Sequence, residues 1–209
     1  PTETTITASE VGIMTTITDL ARDSASRNVA SDIGKLFGEA IAKKVDSDLV
    51  ALFSSFSSDI GSAGTELTAD LLFKAQATLR ALNVPAPYYG VFNPKAVFNL
   101  KKTLTNAGYN TSASAISDIG NEALRNGYVG RIAGIDVFEN ANISIDGYDD
   151  SIGGVFHPIS LGLAMKADFK IETQRDASLR GTEIVATVTY GSGVVKSDYG
   201  VAITTDSAF

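Results

Sequence analysis

Hydrophobic positions along this chain follow two rhythms, and the change from one to the other divides it. From Ser26 to Phe56 the apolar residues are Ile33, Leu36, Phe37, Ala40, Ile41, Val45, Leu49, Leu52, Phe53 and Phe56. Gaps of three and four residues predict one long amphipathic helix. Lys35, Glu39 and Lys43 stand on its other face, four residues apart, where opposite charges support one another by about 0.2–0.5 kcal/mol per pair. No proline interrupts the run. Such a helix spans roughly 45 Å and exceeds the average globular helix of about 11 residues, so the domain is expected to be built along it as a spine. Gly34 and Gly38 each cost about 1 kcal/mol against alanine, which implies compensating packing or a close neighbour.

Upstream, Glu3 to Ile17 alternates loosely and predicts extended structure that needs a partner from another segment or another chain. Thr18 or Asp19 can cap the first helical turn. After Phe56, the stretch from Ser57 to Gly64 reads as a Ser/Gly-rich linker. A second helix follows, with Thr68 as N-cap, Asp70 in the first turn, Leu71, Leu72, Ala75, Leu79 and Leu82 as its apolar face, and Asn83 with Pro85 as its stop. Tyr88 to Phe92 reads as a buried strand. Asn93-Pro94 opens a third helix, striped by Val97, Phe98, the Lys101 stem and Leu104. Gly108 to Asn121 predicts a loop with a short helix near Ile116 and Ile119.

The rhythm changes from Tyr128 onward. Arg131 to Glu139 predicts a strand broken at Gly134, Asn140 to Gly153 a polar loop, Gly154 to His157 a strand and Pro158 to Ala164 a short helix. Phe169, Ile171, Thr173 and Arg175 alternate with Lys170, Glu172 and Gln174. Ile184, Ala186, Val188 and Tyr190 alternate with Glu183, Val185, Thr187 and Thr189. Both are period-two strands, joined by a polar turn from Asp176 to Gly181, and Val201 to Thr204 makes a last strand. No internal repeat is visible. The order of spine, helical unit and mixed sheet predicts an α+β fold.

Composition changes this picture little. The 209 residues suffice for one large or two small domains, and the net charge of −7 argues against a protein that neutralises phosphates. There is no cysteine, so thiolate chemistry and disulfides are absent, which suits a reducing compartment. No apolar run reaches the ~18 residues of a membrane span, and no basic-then-apolar leader opens the chain, so no membrane partner is expected. The chain begins at Pro1, consistent with initiator removal, processing or trimming.

Chemistry is sparse. His157 is the only histidine and lies in Phe156-His157-Pro158, where a structural turn is the simple reading. Ser160 is near it in sequence, but no Gly-x-Ser-x-Gly elbow surrounds it, and a triad needs an orienting acid as well. One histidine without cysteine disfavours zinc. Asp146, Asp149 and Asp150 cluster in a loop that lacks the calcium pattern and read as a solvated acidic tip. Gly127-Tyr128-Val129-Gly130 and Gly191-Ser192-Gly193 match no phosphate-binding motif and read as turns. Asp176 lies near Arg175 and Arg180 and is expected to pair with them, within the turn or to a neighbour. No catalytic, cofactor or metal residue is assigned. A long helix, an orphan extended segment and polar loops suit a protein that contacts copies of itself.

Three segments carry a family resemblance. Leu67-Thr68-Ala69-Asp70 to Val84-Pro85, followed by Gly90-Val91-Phe92-Asn93-Pro94, is one. Gly127-Tyr128-Val129-Gly130-Arg131-Ile132-Ala133-Gly134-Ile135-Asp136-Val137 is the second. Val155-Phe156-His157-Pro158, then Phe169 to Asp176 and Ile184 to Gly191, is the third. In order and spacing behind the spine, these resemble the major capsid protein of tailed bacteriophages, with the Hong Kong 97 type fold.

The resemblance implies a role for each part. Residues 1–21 become the returning limb of an extended loop that overlaps a neighbouring subunit. Residues 22–66 and 166–209 become a peripheral domain, and 67–165 an axial domain around five-fold and six-fold centres. Thr5, Ile6 and Thr7 in the limb, Lys35 and Glu39 on the spine, Asp146, Asp149 and Asp150 at the axial loop, and Arg175, Asp176 and Arg180 at the hairpin tip near three-fold contacts are the expected subunit contacts. The implied partners are copies of itself in pentamers and hexamers, scaffolding, portal or decoration proteins, and packaged double-stranded DNA, in a virion head assembled in the host bacterial cytoplasm. The family's N-terminal arm and outgoing limb have no counterpart in this sequence, which is expected of a processed or truncated form. Some members form a Lys–Asn crosslink from the extended loop. The first lysine here is Lys35, so no such crosslink is expected. An encapsulin-type compartment shell is the alternative reading, and a small α+β hydrolase using Ser160 and His157 a remote one.

Overall fold

The structure is a computed structural model and describes residues 4–24, 29–105 and 130–208. The short helix expected near Ile116 and Ile119, the Gly127–Gly130 turn as a whole and the first residues of the expected spine lie outside the described residues. The chain divides into two compact units, residues 1–48 with 162–193, and residues 49–161 with 194–209. Residues 49–66 and 194–209 lie in the second unit.

In the first unit, strand β1 (Ser9–Thr18) runs into a short helix α1 (Asp19–Ser24). The long helix α2 (Val29–Ala51) belongs to this unit as far as Asp48. Strands β7 (Leu161–Asp176) and β8 (Gly181–Val194) complete a three-stranded sheet in the order β1-β8-β7. The extended segment thus finds its partner within the same chain, antiparallel on β8 with Ser9 opposite Tyr190 and Thr18 opposite Gly181. Ala21 N–H donates to Thr18 Oγ1 at 3.3 Å, which makes Thr18 the cap. Phe37 and Ile41 of α2 pack on Ile184, Ala186, Val188 and Tyr190, flanked by Ile33, Val45, Val11, Ile13 and Ile17. The stripe of α2 that packs here is Ile33-Phe37-Ile41-Val45, with Phe37 and Ile41 buried and its ends partly so. Leu36 is 60% exposed, because one residue turns the helix by about 100° away from Phe37. Lys35, Glu39 and Lys43 are exposed, and Lys44 pairs with Asp48 at 2.6 Å on this helix.

The second unit holds a six-stranded mixed sheet. Its strands are β2 (Ser58–Glu66), β3 (Tyr88–Phe92), β4 (Arg131–Ile132), β5 (Ile135–Glu139), β6 (Asp150–Phe156) and β9 (Gly200–Asp206), in the order β2-β9-β6-β3-β5-β4. Helices α3 (Ala69–Ala81) and α4 (Pro94–Thr105) contribute to its larger core. Leu72, Ala75 and Leu79 of α3 meet Ala96, Val97 and Leu100 of α4, together with Phe92, Ile135, Val155, Val201 and Ile203. A second cluster joins Val50, Phe53, Phe56, Ile143 and Ala202. Val201 and Ile203 enter the first cluster and Ala202 the second, as the two-residue period of a strand requires of a sheet covered on both faces.

Several predicted elements change. The Ser57–Gly64 linker is strand β2, because β9 pairs with it in parallel, Ser58 opposite Val201. The helix expected over Pro158–Ala164 is a 3-10 turn of Pro158–Ser160, after which β7 begins at once. Gly191-Ser192-Gly193 lies inside β8. The break at Gly134 is a two-residue hairpin turn, with Ala133 at φ 52 and Gly134 at φ 72, that folds β4 antiparallel onto β5. Phe98, placed in the stripe of α4, is 49% exposed, whereas Leu100 is fully buried.

Candidate functional site

Four surface regions contain the predicted contact residues, and each is positioned by local chemistry. Thr5, Ile6 and Thr7 form an irregular run beside the end of β8. A Cβ on Gly191 would collide with the Thr7 carbonyl, and one on Gly193 would sit 3.1 Å from Ile6 Cγ1. The two glycines therefore let the N-terminal run approach the strand closely.

The second region is the hairpin tip. Arg175 forms a two-pronged pair with Asp19, Nη1 to Oδ1 at 2.7 Å and Nη2 to Oδ2 at 2.8 Å, and its Nη1 also donates to the Gly181 carbonyl at 3.2 Å. The Arg175 hydrogen bond holds the Asp19 carboxyl below its ordinary value. Asp176 takes a different role from the expected pair with Arg175 or Arg180. Its Oδ1 accepts from Ser178 Oγ at 2.6 Å, Ser178 N–H at 2.8 Å and Leu179 N–H at 3.3 Å. Those hydrogen bonds, Ser178's hydroxyl first, lower its pKa and fold the turn locally, as aspartates do in Asx turns. Arg180 takes a left-handed backbone, φ 48, and its carbonyl accepts from Asp19 N–H at 2.8 Å.

The third region is the acidic loop, where Asp146 and Asp149 are exposed as expected and Asp150 is not. Asp146 Oδ1 accepts from Tyr148 N–H at 2.8 Å and Asp150 N–H at 2.9 Å. Asp149 adopts φ 64, and its carbonyl accepts from Ser207 N–H at 2.6 Å. Asp150 is 7% exposed, and its carboxylate accepts from Gly64 N–H at 2.7 Å, so it holds the loop from beneath. Earlier in the loop, Asn93 Nδ2 donates to the Ile143 carbonyl at 3.0 Å while its Oδ1 accepts from Lys95 N–H at 3.0 Å. One residue thus caps α4 and anchors the loop. At the tip Tyr148 is 87% exposed, a residue the charge-based reading passed over. Its signal was an aromatic side chain between turn-forming glycine and aspartates.

The fourth region is the exposed face of α2 with Lys35 and Glu39, which the structure leaves unpaired among the described residues.

His157 and Ser160 do not form a nucleophile–base pair. His157 Nδ1 accepts from Ile159 N–H at 3.2 Å and caps the 3-10 turn, with its ring edge-on to Tyr199 at 6.0 Å. Ser160 is fully buried, and its hydroxyl has no hydrogen-bond partner among the described residues. A cavity of about 400 Å³ in the first unit is lined by Ile17, Arg22, Val29, Ala30, Thr173, Thr182 and Ile184, a set without histidine or carboxylate. Among the described residues, no three His, Asp or Glu side chains converge as metal ligands, and no helix is long and apolar enough to cross a membrane.

Comparison with known proteins bears on this geometry. No curated protein matches the sequence. Among solved structures, the chain is similar to one from Mycobacterium phage Che8, at 24% identity and TM-score 0.77 over 93% of this chain and 70% of that one. It is similar to the capsid of cyanophage P-SCSP1u, at 19% identity and TM-score 0.74 over 97% and 74%. It is also similar to the SrpI encapsulin of Synechococcus elongatus PCC 7942, at 10% identity and TM-score 0.74 over 97% and 75%. These likenesses show the fold, the α+β Hong Kong 97 type expected from the sequence. A family model described as phage capsid protein matches residues 2–204, so the chain belongs to the phage capsid protein family.

Proposed function

We propose that the chain is the shell subunit of a tailed double-stranded DNA phage head, arranged as pentamers and hexamers of an icosahedral shell. The observation that carries this reading is the phage capsid family match over residues 2–204. In this reading the first compact unit has the peripheral role and the second the axial role, with residues 1–21 overlapping a neighbouring subunit. Thr5, Ile6, Thr7, Lys35, Glu39, Arg175, Asp176 and Arg180 contact neighbours through the peripheral unit. Asp146, Asp149 and the exposed Tyr148 do so at the capsomer centre, with Asp150 supporting them from within. A rigid turn presenting an aromatic side chain makes a good contact point, since little conformational freedom is lost on docking. Scaffolding, portal and decoration proteins are its further partners, and assembly takes place in the host bacterial cytoplasm. The net charge of −7 suits a wall that encloses DNA with weak attraction, since like charge repels the phosphates.

Sedimentation and negative-stain microscopy over a range of concentrations test the proposal. Rings or closed shells are expected, because many weak contacts add to a stable assembly. A chain that stays monomeric, also when joined to upstream residues of its gene, rules the shell reading out. Shells that copurify with one protein cargo instead of DNA favour the encapsulin-type alternative, whose fold likeness is noted above.

A further inference from the structure

Strand β7 is anomalous. It ends its sheet in the order β1-β8-β7, so among the described residues one edge is unpaired. All its residues from Leu163 to Arg175 are exposed. Leu163, Met165, Phe169 and Ile171 form an apolar row at 42–50% exposure. A long exposed edge with an apolar row is a template for another strand.

The other row of the strand indicates which strand. It reads Lys166, Asp168, Lys170, Glu172, with strictly alternating sign. In the single chain Lys170 reaches along its own row to Glu172, and among the described residues Lys166 and Asp168 form no ion pair. We infer that β7 pairs antiparallel with β7 of a second copy, about a two-fold axis through Phe169. In that register Lys166 faces the second copy's Glu172, and Asp168 faces its Lys170. By symmetry the same two pairs recur on the other side of the axis, so all four charges of each strand meet opposite charges. On the apolar row Phe169 faces its own copy, Ala167 faces Ile171, and Met165 faces Thr173. Opposite charges and aromatic pairs directly across strands stabilise a sheet, and like charges destabilise it.

Neighbouring registers fail on charge or on overlap. An axis through Asp168 sets Lys166 against Lys170, and one through Lys170 sets Asp168 against Glu172. An axis through Ala167 leaves Lys170 and Glu172 without charged partners. An axis through Ile171 leaves Leu163 and Met165 uncovered. The axis at Phe169 overlaps nearly the whole strand, from Gly162 opposite Asp176 inward. A self-complementary strand makes the contact isologous, one patch meeting itself.

The pairing rests on the shell reading, and its test separates the two. The chain contains no cysteine, so Phe169→Cys places a single thiol at the axis. Copper-catalysed air oxidation of assembled particles is expected to give mostly disulfide-linked dimer on a non-reducing gel, while a Lys74→Cys control stays monomeric. Lys166→Glu with Lys170→Glu sets like charges opposite one another and should raise the chain concentration needed for assembly at least about tenfold. Adding Asp168→Lys and Glu172→Lys inverts the whole row and should restore assembly to the original concentration. A mere folding defect would not be repaired by two further substitutions. Particles of Phe169→Cys that run as monomers, or a double variant that assembles as readily as the parent, overturn the pairing and leave the shell reading standing. A parent chain that never assembles, also when joined to upstream residues of its gene, overturns both.

Discussion

Asp48 and Tyr190 couple helix α2 to strand β8. Tyr190 Oη donates to Asp48 Oδ2 at 2.6 Å, and Lys44 Nζ donates to Oδ1 at 2.6 Å. Burial alone would raise the Asp48 pKa, but the hydrogen bonds from Lys44 and Tyr190 outweigh it and leave the carboxyl below its ordinary value. Burial first, and then the bond to Asp48, push the Tyr190 hydroxyl up to about 12. A raised tyrosine pKa contributes stability that is whole below the unfolded value of about 10 and lost as pH climbs through the folded one. The lowered Asp48 acts oppositely, contributing above about pH 3.9 and losing that contribution as pH falls through its folded value. Tyr190→Phe is therefore expected to cost about 1–2 kcal/mol at neutral pH and to flatten the fall in stability between about pH 10 and 12. Urea denaturation across that range checks it, and an unchanged alkaline slope assigns the effect to another group. Gly154 is a second sensitive position. A Cβ there would lie 2.8 Å from Phe53 Cγ, inside the cluster where Phe53 meets Phe156 at 5.4 Å between centroids. Gly154→Ala should cost about 1–3 kcal/mol by overpacking, read as a lowered melting temperature.

Helix α3 shows an ending that was legible in advance. Asn83, named as its stop, takes φ 56, and Val84 N–H closes back on the Leu79 carbonyl at 3.0 Å, the arrangement of a left-handed helix end. Asn83→Ala should cost about 1 kcal/mol, because a Cβ without a local polar side chain is penalised in that conformation, while Asn83→Gly should be tolerated. Thermal melts of both variants test this, and equal losses would mean that the left-handed turn is unimportant. Strands β2 and β7 were not legible in the same way. The residues of β2, from Ser58 to Glu66, are mostly small, polar and exposed, with no alternation to detect. Their ladder is supplied by β9, about 140 positions away in sequence, as in Ser58 opposite Val201. The start of β7, Leu161 to Lys166, is rich in residues that favour helices. Its neighbour β8 decides its conformation, since tertiary pairing overrides a weak local preference.

Each compact unit has its own apolar cluster. Phe37 lies at the centre of the first, with Ile184, Ala186, Val188 and Tyr190, and Leu72 at the centre of another in the second unit. Phe37→Ala should cost about 3–5 kcal/mol and raise amide exchange in β1 and β8 while β3, β6 and β9 keep their protection. Exchange rising equally in all five strands would show that the two units open together. The tip residues Arg175 and Asp176 illustrate the difference that three dimensions make to a candidate site. Side by side in sequence, they have separate partners, Asp19 for one and Ser178 for the other. Asp150, expected to be a solvated carboxylate, faces inward to Gly64 N–H.

Periodicity alone determined the spine helix, the α3 and α4 helices, the buried strand of Tyr88 to Phe92 and the alternating strands about Phe169 and Ile184, because each presents its apolar side at a regular interval. Composition located the hairpin tip and the acidic loop as far as Asp149, whose Asn, Asp and Gly residues disfavour regular structure, whereas Asp150 to Gly153, expected in that loop, open strand β6. Which strands pair, which carboxylates turn inward and where the chain divides were decided by the tertiary structure. Those outcomes depend on backbone groups meeting across long stretches of sequence, and no local pattern of side chains encodes them. The self-complementary charges of β7 lie between the two. Their alternation is written in the sequence, and only the strand's place at the open edge of its sheet gives that alternation a surface on which to act.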